Sequence, residues 1–215
     1  MVLSELEPRR LTAAVLRPAA VLVPVLRRPQ GPTFLLIRRH HDLQEHAGQV
    51  AFPGGRLHEG ESVEAGALRE AGEEVDLPAA SVEIVGRLDD QPSPSRYRVA
   101  PVVGLVRDPP PLLAEPGEVD EMFEVPLARL LEPGRAHAEW WPVSRLPAGA
   151  PVDVLMDPRA GYGEVDRRGM RYKVYFFDTQ GGPERVIWGL TARIVSQILV
   201  LAFGFTLPDP EPRER

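Results

Sequence analysis

The sequence predicts one domain of the α/β or α+β class, built on a mixed β-sheet. Its 215 residues fit a single globular domain with a substantial core. The hydrophobic fraction of 43% and the charged fraction of 26% are typical of a folded protein rather than a disordered or fibrous one. Strand-like and helix-like segments also alternate along the chain, as they do in proteins whose helices pack on a sheet.

The N-terminal half begins with two predicted strands and a predicted helix. Residues 19–26 form a continuous apolar run, which is typical of a strand buried on both faces. Residues 33–37 follow a Pro-Gln-Gly-Pro turn, so the two strands are expected to form a hairpin-like unit. Residues 62–75 are rich in Ala, Leu and Glu, with Ser62 as a suitable N-cap, and are predicted to be a helix.

The rest of the chain continues the alternation. Four further segments have the composition of strands, namely residues 82–88, 97–106, 118–125 and 170–177. Residues 187–203 carry apolar side chains at a helical period, so an amphipathic helix is expected to close the fold.

The predicted domain spans residues 15–206, between a flexible N-terminal tail over 1–14 and a disordered C-terminal tail over 207–215. The chain begins without the apolar stretch of a signal peptide. The longest apolar stretch is interrupted by polar residues and falls short of the ~20 residues that a membrane span needs. We therefore expect a cytoplasmic protein without a membrane partner. The sequence leaves the oligomeric state open and allows a homodimer.

Charge and cysteine content exclude several classes of function. The net charge of −6 argues against a general nucleic-acid binder, which needs a cationic surface to neutralise phosphates. The absence of cysteine excludes disulfides, thiolate metal sites and thiol nucleophiles. Ser62 and Ser93 lack an accompanying His/Asp arrangement, so nothing supports a serine hydrolase.

Three glutamates on the predicted helix indicate a metal site. Glu70, Glu73 and Glu74 are spaced i, i+3 and i+4, so a helix places their carboxylates on one face, where they repel one another. Oxygen ligands without Cys or His suit a hard divalent ion, Mg²⁺ or Mn²⁺. Glu61 and Arg69 can pair across the preceding turn. A solvated acidic helix face is the simpler alternative on these residues alone.

The segment from Gly54 to Leu77 resembles the Nudix box, G-x5-E-x7-R-E-U-x-E-E-x-G-U, where U is aliphatic. The matching positions are Gly55, Glu61, Arg69, Glu70, Glu73, Glu74 and Leu77. Ala71 is small for an aliphatic position, and Asp76 replaces the second glycine, where it can still adopt the left-handed conformation that ends a helix. The resemblance implies the Nudix fold, a mixed sheet sandwiched between helices. It also implies metal-dependent hydrolysis, with the metal held by Glu70, Glu73, Glu74 and the Gly54 carbonyl.

The segment before the box is similar to a signature of coenzyme A pyrophosphatases, L-L-T-x-R-[SA]-x3-R-x3-G-x3-F-P-G-G. The matching positions are Leu35, Leu36, Arg39, Gly48, Phe52, Pro53, Gly54 and Gly55. Ile37, His40 and Gln44 depart from the signature, and Gln44 replaces an arginine, so a cation is lost. Arg38 is absent from the pattern and could supply that charge.

These resemblances imply a nucleotide substrate similar to coenzyme A, cleaved to phosphopantetheine and 3′,5′-ADP. The expected substrate-binding residues are Arg38, Arg39, Gly48, Phe52, Gly54 and Gly55. The expected catalytic residues are Glu61, Arg69, Glu70, Glu73, Glu74, Glu118 and Glu121, of which Glu118 or Glu121 could act as a base or as simple surface acids. The alternatives are hydrolysis of ADP-ribose, nucleotide sugars or nucleoside triphosphates, and a Nudix-fold module that binds a nucleotide without cleaving it.

The tryptophan pair and the group of histidines each allow more than one interpretation. Trp140 and Trp141 could stack an adenine, although packing is the favoured interpretation. The histidines at 40, 41, 46 and 58 match no familiar zinc spacing and are interpreted as surface loop residues.

Overall fold

The computed structural model of the chain describes residues 7–13, 15–43, 45–157, 163–166 and 169–210, with the backbone alone over 163–166. Gln44, which replaces the expected arginine, lies outside the described residues, and so do parts of both predicted tails. Arg9 and Leu11 donate backbone hydrogen bonds to the carboxylates of Asp89 and Asp90, at 2.7 and 3.0 Å. The domain boundaries at residues 15 and 206 stay a prediction.

Eight strands in the described part of the chain form the main sheet. They are β1 (Arg17–Leu26), β2 (Thr33–Arg39), β3 (Val50–Ala51), β4 (Gly54–Arg56), β5 (Glu83–Arg87), β6 (Gln91–Pro92), β7 (Tyr97–Val106) and β8 (Val119–Pro126). The central order is β3-β2-β1-β7-β5, with β4 on β1, β6 on β7 and β8 on β2. Strands β1 and β7 are parallel, and the other pairs are antiparallel, so the sheet is mixed as predicted.

The edge of strand β1 that does not pair with β7 pairs with two different strands. Its last residues pair with β2, where Val25 lies opposite Phe34, which confirms the predicted hairpin. Its first residues pair with β4 instead, where Val21 lies opposite Gly54. The backbone at Gly54 approaches β1 so closely that a Cβ atom there would collide with the carbonyl oxygen of Ala20. The glycine is therefore needed to seat β4 beside β1.

Four helices lie in the described residues: α1 (Val63–Val75), α2 (Leu127–Leu130), α3 (Val152–Leu155) and α4 (Gly189–Phe203). Helix α1 begins as predicted, because the Ser62 hydroxyl accepts a hydrogen bond from the backbone N–H of Ala65 at 3.1 Å. It ends at Asp76, whose φ of 53° is left-handed. The aspartate thus occupies the position where the Nudix pattern has glycine.

Helices α1 and α4 cover opposite faces of the main sheet. On one face, Ala67, Ala71 and Val75 of α1 belong to a buried cluster with Leu22 and Leu35. On the other face, the buried side chains of α4 pack with the alternate residues of the same strands, among them Val23 and Phe34, and with Phe52. The sheet is therefore sandwiched between helices, as the resemblance implied. No helix in the described residues combines the length and apolarity needed to cross a membrane.

A second, smaller sheet follows the main one. Its strands are β9 (Ala136–Pro142), β10 (Gly163–Asp166), β11 (Gly169–Phe177) and β12 (Ile187–Trp188), with β11 in the centre. The predicted strand at 170–177 is present. The predicted helix at 187–203 begins two residues too early, because Ile187 and Trp188 pair with Phe177 and Phe176 as a strand before α4 starts.

Candidate active site

Helix α1 buries one carboxylate of the predicted site against the main sheet. The Glu74 side chain is only 1% exposed. Its Oε2 accepts a hydrogen bond from the backbone N–H of Gly54 at 2.9 Å, and its Oε1 lies 3.3 Å from a guanidinium nitrogen of Arg39. The structure therefore brings α1, β4 and the end of β2 together at one acidic group.

The pKa of Glu74 is raised to about 7. Burial is the main cause and outweighs both the Gly54 hydrogen bond and the charge of Arg39. The neighbouring charges of Glu70 and Glu118 raise the pKa further. The anionic form of Glu74 is therefore less favoured than that of an exposed glutamate, and a further cation would stabilise it.

Glu70 lies one turn earlier, against the backbone of β4. Burial raises its pKa, although the ion pair with Arg69 partly offsets this effect. A Cβ atom at Gly55 would lie 2.5 Å from the Oε1 atom of Glu70. Only a glycine at this position lets the carboxylate pack directly on the strand.

Arg69 joins the helix to the loop that precedes it. Its guanidinium donates to both oxygens of Glu61, at 2.9 and 3.1 Å, and to the backbone carbonyl of Arg56 at 3.0 Å. Glu61 also accepts from the backbone N–H of His58 at 2.9 Å. The Arg69 hydrogen bond, followed by that of His58, lowers the pKa of Glu61 to about 2. The predicted Glu61–Arg69 pair is thus present and holds β4 in place beside α1.

Glu73 is the most exposed of the three helix glutamates. Its side chain is 57% exposed and lies 2.8 Å from Arg69, which also contacts Glu70 at 2.9 Å. All three carboxylates are on the same side of α1, but they lie in different environments. Glu70 and Glu74 are the pair held near the β4 backbone.

The structure separates the two downstream glutamates. Glu118 is exposed, and its charge raises the pKa values of Glu70 and Glu74. Glu121 instead forms ion pairs with Arg185 and with Arg38, the latter at 3.7 Å. The Arg185 hydrogen bond is the main reason that the pKa of Glu121 is lowered.

The neighbouring arginines of β2 also face different partners. Arg39 reaches Glu74, whereas Arg38 pairs with Asp120, Glu121 and Glu184. Three carboxylates already surround Arg38, and it does not line the cavity described below. The structure therefore places Arg38 apart from the carboxylates of α1.

Two other predicted binding residues have clear structural roles. Gly48 lies in the turn between β2 and β3, where its φ is 68° and its N–H donates to the Arg39 carbonyl at 3.0 Å. Phe52 is buried in the core, edge to face with Phe34 at 5.5 Å between ring centroids. Phe52 also lines the cavity described below, whereas Gly48 is not among the described residues that line it.

A cavity of about 690 Å³ opens beside Gly54 and Gly55. On the main sheet its wall includes Arg39, Phe52, Arg56 and Tyr97. The opposing residues come from the second sheet and the segments next to it, and include Trp141, Arg145, Tyr172 and Trp188. This volume is within the range of pockets that enclose ligands of drug size.

Trp141 is the centre of the aromatic wall of this cavity. Its ring centroid lies 6.2 Å from that of Tyr172 and 5.9 Å from that of Trp188. The guanidinium of Arg145 lies over the Trp141 ring, 4.8 Å from its centroid. Trp141 therefore both packs in the second sheet, as favoured from the sequence, and faces the space where a ligand could bind.

Sequence reasoning missed most of this second wall. Arg145 and Tyr172 belong to no motif, and Trp141 carried a signal only as part of the Trp-Trp pair. Pairing of β9 with β11 and of β11 with β12 brings the aromatic residues together. These long-range pairings are not visible in local patterns.

The histidines separate into unrelated environments. His40 and His41 stack at 4.3 Å between ring centroids, and a ligand atom from each lies within 4.8 Å of an Asp120 oxygen. His46 contacts Gln49 and Ser95 at 3.0 Å each. The four histidines therefore do not form one common cluster.

Comparisons with known proteins agree with the geometry of this site. The family described as NUDIX domain matches residues 16–149, more than half of the chain. A protein of Photorhabdus laumondii, described as "Uncharacterized Nudix hydrolase NudL", is 40% identical over 183 residues, which cover 85% of this chain and 83% of that protein. A protein of the same description from Shigella flexneri is 40% identical over 191 residues, or 88% of this chain and 84% of that protein.

Solved structures give weaker matches. A Caenorhabditis elegans Ap4A hydrolase binary complex is 20% identical, with a TM-score of 0.44 over 51% of this chain and 80% of that one. The NUDIX domain of Shewanella oneidensis NrtR complexed with ADP ribose is 21% identical, with a TM-score of 0.43 over 54% and 76%. The matched domain and the two close relatives show that the chain belongs to the Nudix hydrolase family.

Proposed function

We propose that the protein is a divalent-metal-dependent pyrophosphatase that cleaves coenzyme A or its derivatives to phosphopantetheine and 3′,5′-ADP. The observation that carries the proposal is the pair of carboxylates, Glu70 and Glu74, held against Gly54 and Gly55, because these two glycines, unlike the carboxylates themselves, line a cavity of about 690 Å³. The pair supports the chemistry, and the cavity supports a substrate of considerable size.

The donor set fits a hard divalent cation, Mg²⁺ or Mn²⁺. Glu70 and Glu74 both have raised pKa values, caused first by burial and then by neighbouring negative charges, so a bound cation would offset a real electrostatic cost. Glu73 and the Gly54 carbonyl would complete the set on the protein side. The cation, when bound, supplies charge screening at the pyrophosphate and Lewis-acid polarisation of its oxygens.

The chain itself would supply positioning and proton transfer. Arg69 holds Glu61 and the Arg56 carbonyl, so it fixes β4 relative to α1 and acts as a positioning residue. Glu118 is exposed and is close enough to affect the pKa values of Glu70 and Glu74, which suits a group that accepts a proton from attacking water. Glu121 suits that role less, because Arg185 and Arg38 stabilise its charged form.

The preference for coenzyme A is supported by the segment that precedes the helix. Among the positions that resemble coenzyme A pyrophosphatases, Arg39, Phe52, Gly54 and Gly55 all line the cavity. A substrate that occupies it would therefore contact the residues that carry the resemblance. The role first considered for Arg38 is not supported, because three carboxylates surround it.

A substrate panel read by product mass tests this proposal. With Mg²⁺ present, we expect kcat/KM for coenzyme A to exceed that for ADP-ribose at least tenfold, a difference that needs only about 1.4 kcal/mol of transition-state preference. Equal or better turnover of ADP-ribose, a nucleotide sugar or a nucleoside triphosphate would reject coenzyme A as the preferred substrate. Binding of nucleotides without any turnover would reject the enzymatic proposal in favour of a sensing module.

A further inference from the structure

The cavity contains two arginines that make no ion pair with any residue that the structure describes. Arg56 donates only to the hydroxyl of Tyr97, at 2.6 Å, and Arg145 lies over the ring of Trp141. Arg39, the third arginine of the cavity wall, is different because it contacts Glu74. Two cations are thus available to an anionic ligand in the same space.

These two arginines lie on different walls. Arg56 follows Gly55 directly in β4, and Gly55 is the residue against which the Glu70 carboxylate packs. Arg145 ends the 3₁₀ turn that follows β9, next to the aromatic residues of the second sheet. A ligand that neutralises both therefore needs two anionic groups at separate points.

The surroundings of Arg145 indicate what accompanies the second anionic group. The rings of Trp141, Tyr172 and Trp188 are partly buried and face the cavity. Aromatic faces of this kind bind planar rings such as nucleobases, and a guanidinium binds phosphate through several N–H donors. Of the residues in this wall, Trp141 and Arg145 lie within the segment that matches the Nudix domain, whereas Tyr172 and Trp188 lie beyond it.

We propose that Arg145 and Trp141 form a subsite for a nucleoside that carries a phosphate monoester in addition to its pyrophosphate. This inference rests on the proposed function and deepens it, because coenzyme A has a 3′-phosphate on its adenosine whereas dephospho-coenzyme A and ADP-ribose do not. Trp141 takes the base and Arg145 the monoester. The pyrophosphate then lies towards Arg56 and the carboxylates of α1.

Direct binding tests the subsite without turnover. Isothermal titration in EDTA compares adenosine 3′,5′-bisphosphate with AMP on the wild type, Arg145→Gln and Arg145→Lys. The wild type should bind the bisphosphate at least tenfold more tightly than AMP. Arg145→Gln should reduce this ratio at least fivefold, and Arg145→Lys should restore part of it. Arg107→Gln is the matched control, because it removes an equal charge from an exposed arginine that pairs with Glu83.

Turnover gives the second test. The ratio of kcat/KM for coenzyme A over dephospho-coenzyme A should fall at least fivefold in Arg145→Gln and stay constant in Arg107→Gln. An unchanged ratio in Arg145→Gln, or a wild type that binds the bisphosphate and AMP equally, overturns the subsite while leaving hydrolysis of coenzyme A intact. If neither coenzyme is hydrolysed, the proposed function fails, and the titration alone decides whether the subsite exists.

Discussion

At the residue scale, Glu74 combines almost complete burial with a negative charge that Arg39 only partly compensates. Its carboxylate is held by the Gly54 N–H, and its pKa is about 7. Such a group lowers the stability of the metal-free protein whenever it is ionised. This cost is expected of a residue kept for binding a cation rather than for folding.

Replacing Glu74 by Gln should therefore separate function from stability. We expect kcat to fall by about 10²–10³ or more, the scale for losing an electrostatic contact in the transition state. The melting temperature without metal should stay level or rise, because a buried charge is removed. Steady-state kinetics and thermal unfolding in EDTA measure the two effects.

The control for this substitution lies on the same helix. Glu64→Gln removes a carboxylate that pairs with Arg87 at 3.8 Å, away from the site, and should leave kcat near the wild-type value. Near-normal turnover of Glu74→Gln would identify Glu74 as a structural acid only.

Gly55 offers a test of how tightly the carboxylates are placed. In Gly55→Ala, the new Cβ would lie 2.5 Å from Glu70 Oε1, and the flexible end of that side chain can move away. We therefore expect a marked loss of kcat with little change in the free energy of unfolding.

The comparison variant is Gly72→Ala, in the interior of α1. A Cβ atom at this position would lie 3.7 Å from its nearest neighbour outside the helix backbone. This change should raise stability by about 0.5–1 kcal/mol and keep activity. Chemical denaturation and kinetics of both variants provide the measurement. Equal activity in the two variants would show that the Glu70 position is not critical.

Glu61 gives a pH dependence with a definite sign. Its pKa is about 2 in the folded protein, against 4.5 as the ordinary value. Its pairing with Arg69 therefore stabilises the fold fully above pH 4.5, and this contribution disappears as the pH falls towards 2. Urea unfolding from pH 7 to 2 should show a stability gap between wild type and Glu61→Gln that closes on acidification. A gap that widens in acid would contradict this role.

At the scale of elements, long segments with a clear pattern were predictable and short ones were not. Helix α1 carries its own N-cap and regular composition, and β1 and β7 are long apolar strands, so local physics determines them. Strands β3, β4 and β6 have two or three residues each, too few to show any period. The start of α4 was misjudged because Ile187 and Trp188 pair with β11 across the second sheet.

The end of α1 permits a test at this scale. Asp76 holds a φ of 53°, a conformation that glycine adopts more easily than aspartate. We expect Asp76→Gly to raise the free energy of unfolding by up to about 1 kcal/mol, without loss of activity. A clear decrease in stability, measured by chemical denaturation, would mean that the aspartate side chain makes a stabilising contribution of its own.

At the scale of the whole molecule, the sequence predicted one side of the site much better than the other. The carboxylates of α1 and the glycines of β4 lie within one motif: helical spacing grouped the carboxylates, and the resemblance to the Nudix box implied that Gly54 lies with them. The facing wall gathers Trp141, Tyr172 and Trp188 through long-range strand pairing, which a single sequence does not reveal. Local motifs therefore indicated the chemistry, whereas the aromatic end of the cavity required the structure.

We propose that the carboxylates of α1 act by holding a divalent cation. The most direct measurement is the initial rate of coenzyme A hydrolysis with Mg²⁺, after addition of excess EDTA, and after restoring Mg²⁺ or Mn²⁺. We predict that the rate falls to background in EDTA and recovers with either metal in the wild type, but not in Glu74→Gln. Undiminished hydrolysis in EDTA would contradict the claim.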